Sequence, residues 1–186
     1  MLKEIVKTQV LVFHPDMNAS RVNRALAERA EALGGDVVVR RMYDRYPDFR
    51  IDVAAEQQAA QATDRLVLQF PMYWFSCPPL LKKWLDDVLT YGWAYGSTGK
   101  ALQGKELLVA VSSGSSEYGR EHEYTYTVHE LLRPLQATAD YCSMTYLEPF
   151  TTIGAMTISD QDLAQRVADY AATLTTDSLP KLERLG

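Results

Sequence analysis

The chain of 186 residues has only two cysteines, Cys77 and Cys142. Two thiols are too few for a disulfide framework, and both are read as reduced thiols of a cytoplasmic protein. Long apolar runs are missing as well. The longest uncharged stretch, Leu66 to Leu81, is interrupted by Pro71, Pro78 and Pro79. It falls short of the about 20 apolar residues that a membrane helix needs. The opening MLKEIVK has no apolar signal core, so export is not expected, and the acceptor-like Asn18-Ala19-Ser20 has no glycosylation role. No basic cluster occurs. Lys and Arg number 19 against 24 Asp and Glu, for a net charge of −5, which argues against a nucleic-acid partner. The phosphate-binding patterns GxGxxG and GxxxxGK[ST] are absent, as is the nucleophile elbow GxSxG. His14, His122 and His129 lack metal-ligand spacing. The run from His129 to Arg133 breaks the HExxH pattern at its last position, so no metal is expected.

What the chain does have is alternation. Hydrophobic residues are 47% and charged residues 23%, a composition that can bury a core without staples. Val6 to Phe13 is apolar and β-branched and stops at His14-Pro15. Val22, Ala25, Leu26, Ala30 and Leu33 then share one helical face, with Ser20 as N-cap and Gly34-Gly35 as the stop. Strands are predicted to open at Val37, to span Leu66 to Phe70 and Leu107 to Val111, and to lie near Ser143 to Pro149. Helices are predicted over Ala54 to Ala62, from Leu80 to Leu89, around Val128 to Leu135, and from Leu163 to Leu174. Strict alternation of strand and helix implies right-handed crossovers and a parallel sheet. The apolar strand runs suit strands buried on both faces. The expected architecture is one α/β domain over residues 1–186. It is a doubly wound, five-stranded parallel sheet of order 2-1-3-4-5 with helices on both faces. Another five-stranded order, such as half of a dinucleotide-binding fold, is the alternative.

Ligands of open parallel sheets bind beyond the carboxyl ends of the strands. Three unusual loops are expected there. The first holds His14, Ser20, Arg21, Val22 and Asn23, a helix start whose amides and side chains make an anion site. Its plainer reading is an ordinary N-cap and a surface histidine. The second holds Met72, Tyr73, Trp74 and Phe75 between prolines, and its rings suit a flat heterocycle. A loop folded on the core, or a subunit interface, is the other reading. The third, Ser112 to Tyr118, is built of small residues that let backbone amides approach a planar ligand edge. By itself it reads equally as a flexible serine loop. A second aromatic cluster, Tyr91 to Gly96, reads as core, as interface or as a wall over a site.

The runs HPDMNASRVN, FPMYWFSCPPLLKKWLDDVLTYGWAYG, ALQGKELLVAVSSGSSE and LLRPLQATADYC together resemble the flavodoxin-like NAD(P)H:quinone oxidoreductases. The likeness extends from about Val10 to the last helix. It is nearest to the bacterial branch that includes ancillary proteins of glutathione-regulated potassium-efflux systems. The resemblance implies a flavodoxin-like fold, a bound flavin, NAD(P)H as electron donor, and a homodimer with the flavin at its interface. Two electrons would pass as hydride to the flavin and on, by a ping-pong mechanism, to a quinone or similar electrophile. It implies that His14 and Ser20 to Asn23 hold the flavin phosphate, and that Met72 to Phe75 line the ring. Ser113, Gly114, Ser115 and Ser116 correspond to the loop that offers amides to the pyrimidine edge. Tyr118 corresponds to a tyrosine that relays a proton at that edge, while His122 has no clear counterpart. Relatives carry Thr-Thr-Gly-Gly in the third loop, so Ser115 and Ser116 are expected to bend it differently. FMN is favoured over FAD because the long C-terminal extension of the mammalian type is missing. A regulatory subunit docked at the inner membrane face on a potassium transporter, and an electron carrier of the flavodoxin type, are the alternative functions.

Overall fold

A computed structural model describes residues 6–183. The elements are β1 (Thr8–Val12), α1 (Arg21–Leu33), β2 (Val37–Arg41), α2 (Met42–Arg45), α3 (Val53–Gln61), β3 (Arg65–Pro71) and α4 (Pro79–Val88). They continue as β4 (Glu106–Ser112), α5 (Val128–Leu131), α6 (Arg133–Tyr141), β5 (Thr145–Tyr146), β6 (Phe150–Thr152) and α7 (Asp160–Thr175). All strand pairs are parallel, in the order β2-β1-β3-β4-β5, with β6 also on β4. That is the flavodoxin-like arrangement expected from the sequence. The fifth position is divided. β5 and β6 both pair with β4, and between them stands Pro149, whose missing N–H cannot continue a ladder. Pro134 likewise stands where the single helix predicted around Val128 to Leu135 gives way to α5 and α6. The one-turn α2 has no counterpart among the predicted elements.

The inner strands are buried along nearly their whole length. Their alternate side chains feed two cores. Leu11, Leu66, Leu68, Phe70, Leu107 and Val109 pack with Leu80, Leu81, Trp84 and Ala139 from α4 and α6. Val10, Val12, Val67, Leu108 and Ala110 pack with Val22, Leu26 and Ala30 of α1 and with Tyr170 and Leu174 of α7. Each such valine, leucine or phenylalanine contributes about 1.5–3 kcal/mol by leaving water, and each alanine less.

Among the described residues, the fully buried charged side chains Glu56 and Arg65 are both paired, with Arg40 and Glu106. The Glu56 side chain is fully buried on α3. It accepts from Arg40, from the Tyr46 hydroxyl at 2.5 Å and from the Trp84 indole at 3.0 Å. This knot ties α4 to the sheet edge, and so fixes the base of the loop that precedes α4.

Candidate functional site

The carboxyl ends of β1, β3 and β4 surround a cavity of about 450 Å³. That lies within the about 300–1,000 Å³ usual for small ligands and cofactors. His14, Ser20, Arg21, Val22 and Asn23 line one side; Pro71, Met72 and Tyr73 line another. Ser112, Gly114, Ala155 and Met156 complete it.

The first side is a helix start. Ser20 caps α1 by accepting the Asn23 amide at 3.1 Å. Among the described residues, the amides of Arg21 and Val22 donate to no protein acceptor. Two free amides at the positive end of a 13-residue helix attract an anion. The Arg21 guanidinium is spoken for, on the Ile158 carbonyl and the Asp160 carboxylate, so this residue offers the cavity its amide. His14 accepts the Asp16 amide at Nδ1 over 3.1 Å, which leaves its proton on Nε2. Burial pulls the imidazole below its ordinary value, with Asp16 pulling the other way, so the ring is a neutral donor. Asn23 is buried, donates through Nδ2 to the Ser112 hydroxyl at 2.8 Å, and keeps an unpartnered Oδ1. Because Ser112 Oγ accepts there, its own hydrogen is left to donate.

The second side is a tight turn. Tyr73 and Ser76 exchange backbone hydrogen bonds of 3.1 and 3.0 Å. The two residues between them are left-handed, Trp74 at φ 48° and Phe75 at φ 60°. This is the geometry of a type I′ turn, which ordinarily selects Asn-Gly. Two bulky residues there hold backbone strain of about 1–2 kcal/mol each, a device found at functional loops. The turn splits the aromatic run. Met72 and Tyr73 face the cavity; Trp74 does not, and stands 93% exposed. Phe75 leans away onto Tyr118 and Tyr124, with ring centroids 6.4 and 5.5 Å apart.

The third side is the loop after β4. The amides of Gly114, Ser115 and Ser116 have no acceptor among the described residues. No residue from 112 to 118 is left-handed, so Ser115 and Ser116 carry no strain of that kind. The loop is held instead by its carbonyls. Ser113, Gly114 and Ser115 accept from Ala155, Met156 and Gly154. Met156 lies so close that a side chain at Gly114 would meet its sulfur at 3.1 Å. Ser113 turns its hydroxyl onto the Ser115 carbonyl, and Ser116 faces a neighbouring cavity between β6 and α7. Tyr118 lies outside the main cavity, tilted on Tyr124 with centroids 5.2 Å apart. Burial, and after it Tyr124, raises the phenol above its ordinary value, so it keeps its proton.

Sequence reasoning missed the fourth wall, Ala155 and Met156. The signal that finds it lies in the loop beyond the fifth strand, where Gly154, with a φ of 72°, makes the turn.

The chain belongs to the family of the flavodoxin-like fold, whose model matches residues 6–174. Its relatives include the NAD(P)H oxidoreductase YrkL of Bacillus subtilis, 47% identical over 170 residues that cover 89% of this chain and 97% of that one. General stress protein 14 from Treponema denticola, solved in complex with FMN, superposes with a TM-score of 0.84 at 43% identity, covering 90% of this chain and 97% of that one. A crystal structure described as a thermophilic tryptophan halogenase from Streptomycin violaceusniger has a TM-score of 0.87 at 46% identity, covering 92% and 99%. Names so unlike on one fold mean that function has to be argued from the site.

Proposed function

We propose that the chain is a flavin-dependent NAD(P)H oxidoreductase that binds FMN and passes two electrons to quinones or similar planar electrophiles. One observation carries the reading. A single cavity joins two free amides at a helix start to Gly114, the first of three residues with free amides after β4. The first set suits a phosphate, the second the polar edge of a flat ring, and Tyr73 and Met72 supply an apolar wall. The unpaired Asn23 Oδ1 and the free Ser112 hydrogen are one acceptor and one donor for the polar chain between ring and phosphate. FMN in the Treponema relative supports this cofactor.

Bound flavin supplies the carrier chemistry between a nicotinamide donor and the acceptor. The protein's own part is positioning and electrostatics. Arg21 and Val22 hold the phosphate, with the neutral His14 as a further donor. The Gly114 amide, with those of Ser115 and Ser116 beyond it, would donate to the polar edge of the bound ring, in the manner of an oxyanion hole. Tyr118 keeps its proton and is the candidate proton donor. Trp74, Tyr126 and Met156 are exposed at 93%, 62% and 84%. Met156 lines the cavity and Trp74 follows the lining residue Tyr73 in the chain, which supports a homodimer that covers this face. No helix among the described residues is long and apolar enough to cross a membrane, in keeping with a cytoplasmic place.

The test is anaerobic mixing of FMN-loaded protein with NADPH and then with a quinone. Bleaching by the nicotinamide and return of colour with the quinone is the expected sequence. Protein that NADPH leaves yellow is a carrier or something else, and the reading fails.

A further inference from the structure

A file of buried polar side chains runs from α7 to the cavity, and the chemistry proposed above does not use its inner members. Gln69 has no exposed surface and lies in the middle of β3, opposite Val12 and Ala110. A primary amide buried among valines and leucines is costly unless both of its ends are bonded. Both are. Its Nε2 donates to the Asn23 carbonyl at 2.9 Å, and its Oε1 accepts the Tyr170 hydroxyl at 3.1 Å. Tyr170 is completely buried on α7. Asn23 continues the file to Ser112 at 2.8 Å and to the Ser20 cap at 3.1 Å. One chain of hydrogen bonds therefore joins α7, β3, α1 and β4. It ends on the turn whose amides face the cavity.

The apolar contacts of α1 explain why such a clamp is useful. The residues it buries include Ala27 and Ala30, which give little resistance to sliding or rotation against the sheet. Directional bonds to the Asn23 carbonyl and side chain fix what methyl contacts leave loose.

We infer that Tyr170 and Gln69 are positioning residues for the phosphate end of bound FMN, holding the first turn of α1 at the height and tilt its amides need. The inference rests on the flavin reading of the cavity. Neither residue lines the cavity, so the effect passes through Asn23.

The test is titration of flavin-free protein with FMN and with riboflavin, which lacks the phosphate, monitored by quenching of flavin fluorescence. The native chain is expected to prefer FMN. Tyr170→Phe keeps the ring and deletes one bond, and is expected to weaken FMN about five- to tenfold while riboflavin changes less than about twofold. Gln69→Met cuts both bonds and is expected to weaken FMN further, again with riboflavin spared. Unchanged FMN affinity in both variants overturns the inference. So does an equal loss for the two flavins, which means general loosening. A native chain that binds riboflavin as tightly as FMN, or neither, refutes the cradle itself and takes the inference with it. Should one variant fail to fold, the other decides.

Discussion

The Asn23 side chain donates to the Ser112 hydroxyl across 2.8 Å, joining the first turn of α1 to the last residue of β4. Both residues are buried, and the oxygen of the Asn23 amide, Oδ1, has no partner. Ser112→Ala leaves the whole amide unpaired in the interior. The expected cost is about 1–3 kcal/mol in denaturant unfolding of flavin-free protein. FMN affinity falls as well, because the two sides of the cradle lose their tie.

Trp74 pairs a left-handed backbone with a ring that is 93% exposed. Asparagine is at home in such a turn, and almost no contact is lost with the indole. Trp74→Asn is expected to raise the stability of dilute, flavin-free monomer by about 0.5–1 kcal/mol. Sedimentation at higher concentration is expected to show a weaker dimer. Opposite signs from one substitution mark a residue kept for binding. A variant less stable as monomer contradicts that.

Glu56 bonds to Arg40, Tyr46 and Trp84 at once, with no solvent contact of its own. Glu56→Ala strands a guanidinium that is only 10% exposed, together with two buried donors. The expected loss is about 3–5 kcal/mol, measured by thermal or chemical unfolding.

The neutral His14 makes stability depend on pH. Half-burial holds its folded value below the ordinary 6.5, against the opposing pull of Asp16. Above that ordinary value the imidazole is uncharged in both states, and its contribution is complete. As pH falls below it, the unfolded chain takes the proton first, so stability declines until the folded ring is also protonated. The advantage of the native chain over His14→Asn is expected to shrink between about pH 7 and pH 5 in flavin-free protein. With FMN bound, the phosphate favours the cation and the decline is smaller.

Strand order and the two-faced burial were legible in the sequence because the inner strands are continuous apolar runs, the pattern that parallel sheets impose. The Ser20 cap was legible from its place before a helical face. The division of the fifth strand at Pro149 and of the helix at Pro134 comes from the missing amide of proline, and both prolines stand in plain view in the sequence. The separation of Met72 and Tyr73 from Trp74 and Phe75 was not legible. It depends on a left-handed turn that local preference argues against, and that the surrounding structure imposes. Met156 over Gly114 was hidden for a different reason: the contact joins loops far apart in sequence, and neither residue announces it.

The most direct measurement is the visible absorption spectrum of the protein after incubation with excess FMN and removal of free ligand by gel filtration. A flavin band that travels with the protein at close to one FMN per chain is the expected result, with Ser20→Ala binding more weakly. A colourless protein contradicts the claim that the ends of β1, β3 and β4 form a flavin cradle.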